Sequence, residues 1–151
     1  TPWPKADNRQ VLKEYSESMH KLFKNGYHPK VRPSGHDISD KFSRRNEGAI
    51  PPNLLVIPNT ASNTAYQRRC KQRRVRPHPA RFPEAFPQFF IEFLTDRADL
   101  VVDIFAGSNT TGYVAESLGR RWLAFEKSEG YVANSALRFA PSSSLFPILD
   151  R

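Results

Sequence analysis

Apolar and polar positions divide the chain into stretches of different period. Leu100 to Ile104 form a short apolar run, LVVDI, suited to a buried strand. A glycine loop follows. Then come helical spacing over about Thr110 to Leu118, a second strand-like run over Arg121 to Phe125, and a helix over about Glu129 to Phe139. This alternation predicts half of an α/β sheet with parallel strands. Just ahead of it, Ala85, Phe86, Phe89, Phe90, Phe93 and Leu94 fall at helical spacing, with Pro87 tolerable only in a first turn. Prolines at 77, 79 and 83 predict an extended lead-in.

The earlier part of the chain is less periodic. Val11, Leu12, Tyr15, Met19, Leu22 and Phe23 are spaced as one helical face, predicting a helix over Arg9 to Asn25 with a cap at Asp7 or Asn8 and a stop at Gly26. The stretch GYHPKVRPSGHDISDKFSRRNEGAIPPN has no period and many turn formers, so it reads as loop. LLVIP, Leu54 to Pro58, reads as a short strand or buried loop, and SNTAYQRRCKQRR as a basic helix capped by Ser62. The tail APSSSLFPILDR reads as loop with a docked end. Two short strands do not finish a sheet of this type. The chain is therefore expected to be incomplete or to borrow strands, which points to a partner or to self-association.

Charge sharpens the division. Residues 1–81 carry 17 Lys and Arg against 6 Asp and Glu; residues 82–151 carry 6 against 9. A basic half next to a mildly acidic half suggests one surface for a polyanion and one pocket for something else; the bland alternative is a solvated basic surface. The expected division is a basic recognition region over 1–76 and a ligand-holding half-domain over 77–151. Cys70 is the single cysteine, so neither an internal disulfide nor a cysteine zinc cage can form, and a reducing, intracellular setting fits. Histidines 20, 28, 36 and 78 lack metal-site spacing. No apolar run is long enough to cross a bilayer.

A loop that leaves a buried strand and enters a helix is a ligand platform in α/β sheets. Here it reads DIFAGSNTTG, Asp103 to Gly112. Gly107 lets the backbone approach a ligand, and Ser108, Asn109 and Thr110 offer hydroxyl and amide groups. Neither G-x-G-x-x-G nor G-x-x-x-x-G-K-[ST] is present, and Asp103 repels phosphate with no nearby lysine to offset it. Glu126 ends the second strand 19 residues after Gly107, where an acid typically accepts from a ribose diol. S-adenosylmethionine, with its ribose, sulfonium and ammonium and no phosphate, meets these demands. The alternative is a tight turn bearing two surface acids.

DIFAGSNTTG, together with the preceding HPARFPEAFPQFFIEFLT and the following GRRWLAFE, resembles the bacterial DNA amino-methyltransferases of the β arrangement over roughly residues 46–139. Residues 1–45, with VLKEYSESMHKLF and RPSGHDIS, resemble the target-recognition region of the cytosine-amino branch, favouring cytosine over adenine. The resemblance implies a partial Rossmann-like, S-adenosylmethionine-dependent α/β sheet behind an irregular, mainly helical or loop N-terminal region. It implies a bacterial cytoplasmic, nucleoid-associated setting. It also implies that Asp103, Phe105, Ala106, Gly107, Ser108, Asn109 and Thr110 line the methionine part of the cofactor, that Glu126 holds the ribose, and that His78, Ala80 and Phe82 close over the other side. Asn109 stands where many relatives have a second glycine; asparagine tolerates left-handed geometry.

An exocyclic amino nitrogen is a poor nucleophile because its lone pair is delocalised into the base. The family grips it with a Ser/Asp-Pro-Pro-aromatic turn and flips the base out to reach it. This chain has no such turn; its one Pro-Pro, AIPPN, follows Ile50 and precedes Asn53. No catalytic residue is therefore expected within it. The catalytic half is expected to lie outside, and the chain alone to be a poor catalyst. RRCKQRRVR places six cations in nine residues, and Arg44 and Arg45 add two more. Such clusters neutralise phosphates. Arg32, Ser34, His36, Arg44, Arg45, Arg73 and Arg74 are the candidate contacts to double-stranded DNA. Two other readings stand beside this one: a non-catalytic DNA-binding specificity module or relic, and a small-RNA or metabolite methyltransferase with a basic appendage.

Overall fold

The computed structural model describes residues 6–26, 33–35, 43–60 and 62–139. These form two compact units, one over Ala6–Leu55 and one over Val56 onward. The expected boundary at 76/77 falls inside the second unit. The expectations for Arg32, His36 and the tail after Phe139 lie outside the described residues.

In the first unit the helix expected over Arg9 to Asn25 is broken. A 3-10 turn spans Asn8–Val11, and Asp7 caps it by accepting from the Arg9 N–H. The chain then extends, and Lys13 exchanges two backbone hydrogen bonds with Ala49, at 2.9 and 2.8 Å. Only after Ser16, whose side chain accepts from Met19 N–H, does helix α1 run over Glu17–Asn25, stopping at Gly26 with φ of 75°. A pairing across 36 residues thus overrides the local helical period. Among the described residues of this unit, Val11 is the buried apolar one. Tyr15 packs edge-on to Phe23 and accepts from Asn46 N–H. No residue of α1 is buried.

LLVIP, which runs across the boundary between the units, is neither strand nor buried: Leu54 and Val56 are exposed, and no described strand pairs with them. Helix α2 spans Ala65–Gln72. Its cap is Thr64, not Ser62, because Gln67 three residues on completes a capping box. Helix α3 spans Ala85–Leu94, with Pro87 in its first turn. Strand β1 (Leu100–Asp103), helix α4 (Thr110–Ser117), strand β2 (Arg121–Ala124) and helix α5 (Glu129–Ser135) follow, the last continued as a 3-10 turn over Ala136–Arg138.

β1 and β2 are parallel, with Leu100 opposite Arg121 and Asp103 opposite Ala124. Alternation along both strands sends Val101 and Trp122 to one face. There they pack with Tyr113 and Leu118 around Ile91 of α3 and Val114 and Ala115 of α4. Burying a residue such as Ile91 contributes about 2 kcal/mol. The opposite face carries Leu100, Val102, Ile104, Leu123 and Phe125, all about half exposed. Among the described residues only these two strands form the sheet. Parallel strands are ordinarily covered on both faces.

Candidate functional site

The site forms where both parallel strands end. After β1 the chain turns through Gly107, whose φ is +54°. The turn is bound to β2 at its base: Phe125 N–H donates to Asp103 O, and Ala106 N–H to Phe125 O. Gly107 N–H then donates to the Glu126 carboxylate at 2.9 Å, and Ser128 N–H donates to its other oxygen at 2.9 Å. These donors, Ser128 first, hold Glu126 below the usual carboxylate range, with His78 adding a smaller electrostatic pull. An ionised carboxylate has about four acceptor positions, so two backbone donors leave capacity for a diol.

The His78 ring lies over Gly107: a Cβ there would stand 3.2 Å from the ring. His78 Nδ1 lies 2.6 Å from Ala80 O, and the ring meets Tyr131 edge-on at 4.5 Å. The structure therefore brings His78, Gly107 and Glu126 together from three separate stretches of sequence. Asp103 is oriented by two donors, Phe105 N–H at 3.0 Å and Thr111 Oγ1 at 2.6 Å. It shares an apolar groove of about 350 Å³ with Phe82, Phe86, Phe90 and Thr111. Phe82 and Asp103 thus meet at one groove. Phe105 projects outward, 85 % exposed.

Ser108, Asn109 and Thr110 are buried, so their side chains are not open ligand contacts. Asn109 is left-handed, with φ of 53° and ψ of 46°, and caps α4 by accepting from Gly112 N–H at 3.0 Å. Gly112 is the matching requirement, because a Cβ there would lie 2.3 Å from the Asn109 carboxamide oxygen. Ser108 is held by Arg138, which donates from Nε to Ser108 O and from a terminal nitrogen to Ser108 Oγ at 2.8 Å. Sequence reasoning missed Arg138. Its lone position thirty residues downstream gives no motif to read.

Of the DNA candidates, Ser34, Arg44, Arg45, Arg73 and Arg74 are exposed. Arg69, part of the same basic run, instead donates to the carbonyls of Leu137, Arg138 and Phe139. Its charge satisfies the end of the helical segment that starts with α5. No described helix is long and apolar enough to cross a membrane, and the described residues contain no cluster of metal-ligating side chains.

With this geometry in view, residues 3–137 match the N6_N4_Mtase family, described as DNA methylase. The chain belongs to that family. It is 55 % identical over 142 residues to the type II methyltransferase M.PvuII of Proteus hauseri, covering 92 % of this chain and 42 % of that protein. It is 42 % identical over 55 residues to M.BglI of Bacillus subtilis, covering 36 % of this chain and 16 % of that protein. A solved PvuII DNA methyltransferase, cytosine-N4-specific, superposes with a TM-score of 0.58 at 55 % identity, over 62 % of this chain and 33 % of that one. The chain thus spans less than half the length of the relatives it matches. The resemblance stated from the motifs is borne out, as is the α/β class.

Proposed function

We propose that this chain is the donor-holding and DNA-contacting part of a DNA methyltransferase. It binds S-adenosylmethionine between the 103–110 loop and Glu126, for transfer of the methyl group to the exocyclic amino nitrogen of cytosine. The observation that carries this is the Gly107–Glu126 contact. A left-handed turn at the ends of two parallel strands presents an ionised carboxylate and no phosphate-binding lysine. That donor set fits the cofactor: Glu126 retains acceptor capacity for a ribose diol, and Asp103 suits an ammonium. When bound, the donor supplies an electrophilic methyl on a sulfonium. The chain's own part is to orient it, with His78, Ala80 and Phe82 excluding water from one side. Phe105, Ala106, Ser108, Asn109 and Thr110 shape the loop. Cytosine is favoured over adenine on the likeness to the cytosine-N4-specific relative.

DNA contact is assigned to residues 1–76, through Arg32, Ser34, His36, Arg44, Arg45, Arg73 and Arg74, and donor binding to 77–151. Because α2 packs in the second unit, it would serve both roles. The Ser/Asp-Pro-Pro-aromatic turn is supplied from outside these 151 residues, and the bare face of the β1–β2 sheet is apolar enough to receive the layer that carries it. Such an enzyme works at the bacterial nucleoid.

Calorimetric titration with S-adenosylmethionine tests the reading. Saturable binding is expected, weakened at least about tenfold by Glu126→Gln, the worth of a hydrogen bond to a charged group. No measurable heat would remove the reading. The alternative, a non-catalytic DNA-binding module, is favoured by one observation: the Pro51-Pro52 pair is preceded by an exposed Ile50 that cannot accept a hydrogen bond through its side chain. DNA binding without donor binding would select it.

A further inference from the structure

Arg138 has no place in the donor site as drawn above, yet it grips the loop through both its backbone and a side chain. The guanidinium is buried, 7 % exposed. Nε donates to Ser108 O and a terminal nitrogen to Ser108 Oγ. A second terminal nitrogen stands 3.7 Å from Glu84 Oε1, and the guanidinium carbon lies 4.5 Å from the Tyr66 ring centre. Burial lowers its pKa, partly offset by Glu84 and Tyr66. A buried cation is costly unless well paired, and this one spends its donors on a single loop residue.

Ser108 is the residue that needs holding. It sits between Gly107 at φ +54° and Asn109 at φ 53°. Gly107 adopts that conformation freely, whereas a left-handed residue with a side chain, as Asn109 is, stores some strain and persists where its surroundings over-determine it. Leaving this conformation would strip the guanidinium of two acceptors. Tyr66 reinforces the clamp, since its hydroxyl also accepts from His78 N–H at 3.4 Å, so one buried ring backs both sides of the site.

We propose that Arg138 is a positioning residue for the donor: it holds the 107–109 turn in its binding shape through Ser108, without touching the ligand. This rests on the reading that the turn and Glu126 bind S-adenosylmethionine. Arg138 also lines a polar cavity of about 620 Å³ with Arg81, Phe82 and Gln67, so a small ion can reach the place its side chain occupies.

The test compares the chain with Arg138→Met, Arg138→Lys, Arg138→Ala and Ser108→Ala variants, titrated with S-adenosylmethionine well below each melting midpoint. Arg138→Met should weaken the donor by at least about tenfold, and Arg138→Lys should recover part of that loss. Millimolar guanidinium should restore binding to Arg138→Ala, while urea should not. Donor affinity of Arg138→Met within about twofold of wild type, or a loss that neither lysine nor guanidinium repairs, would overturn the proposal. If Arg138→Met and Arg138→Ala do not fold, the smaller weakening expected of Arg138→Lys and Ser108→Ala carries the test, and unchanged binding in both overturns it. Hydrogen exchange at the Ser108–Thr111 amides separates the two readings. Faster exchange in the variants supports the clamp even where wild type binds no donor; unchanged exchange removes the clamp even where it does.

Discussion

The two units differ in what shapes them. Among the described residues of 6–55 there are a 3-10 turn, one helix with no buried residue, and a single bridge between Lys13 and Ala49. Residues 56–139 hold a strand–helix–strand unit around Ile91, Val114 and Ala115, with every loop residue from Gly107 to Thr110 buried. The second unit has a core that fixes its site. In the first, among the described residues, Val11 is buried and no residue of α1 is. The shape of the 107–110 stretch comes from packing.

Cutting into each unit tests that contrast. The largest effect is expected from Ile91→Ala, about 3 kcal/mol in denaturant unfolding, because the side chain is 5 % exposed at the α3–α4 contact. Donor binding should fall with it. Gly48→Ala should be the strongest single change in the first unit: its Cβ would lie 2.8 Å from Lys13 O, and overpacking of this kind costs about 2 kcal/mol. It should open the Lys13–Ala49 bridge and leave donor affinity within about twofold. A large loss of donor affinity would break the comparison.

Gly112→Ala should cost about 1 kcal/mol by displacing the Asn109 cap. In an Asn109→Gly background, which keeps the left-handed turn and lacks the carboxamide, the same change should cost almost nothing. Thermal melts of the four proteins read the coupling.

The smallest effect is in pH. Glu126 is held below its ordinary value by Ser128 and Gly107 N–H groups. A depressed folded pKa contributes stability that is complete above the unfolded value of about 4.3 and is lost as pH falls through the folded value. Melting midpoints of wild type and Glu126→Gln should therefore converge on acidification below about pH 4. Constant separation down to pH 2 would remove Glu126 from that role.

Legibility followed the same divide. The strand–helix–strand stretch was readable nearly to the residue, because its signals are local: the LVVDI run, the glycine turn, and Asn109 in a left-handed position. The α3 start was set by its prolines. The Thr64 cap was also within reach, since Thr64 and Gln67 have capping-box spacing. What was hidden depends on distant partners. The period over Arg9 to Asn25 yields to Ala49, and Arg69 turns from an apparent phosphate contact into a cap for carbonyls 68 to 70 residues away. Arg138 shows no pattern at all until Ser108 lies beside it.

The most direct measurement is a crystal structure of this chain grown with S-adenosylmethionine. The account predicts ribose hydroxyls within hydrogen-bonding distance of Glu126 and the amino-acid end of the donor beside Asp103. A vacant cleft, with Glu126 still closed on Gly107 and Ser128 and the donor bound elsewhere or absent, would contradict it.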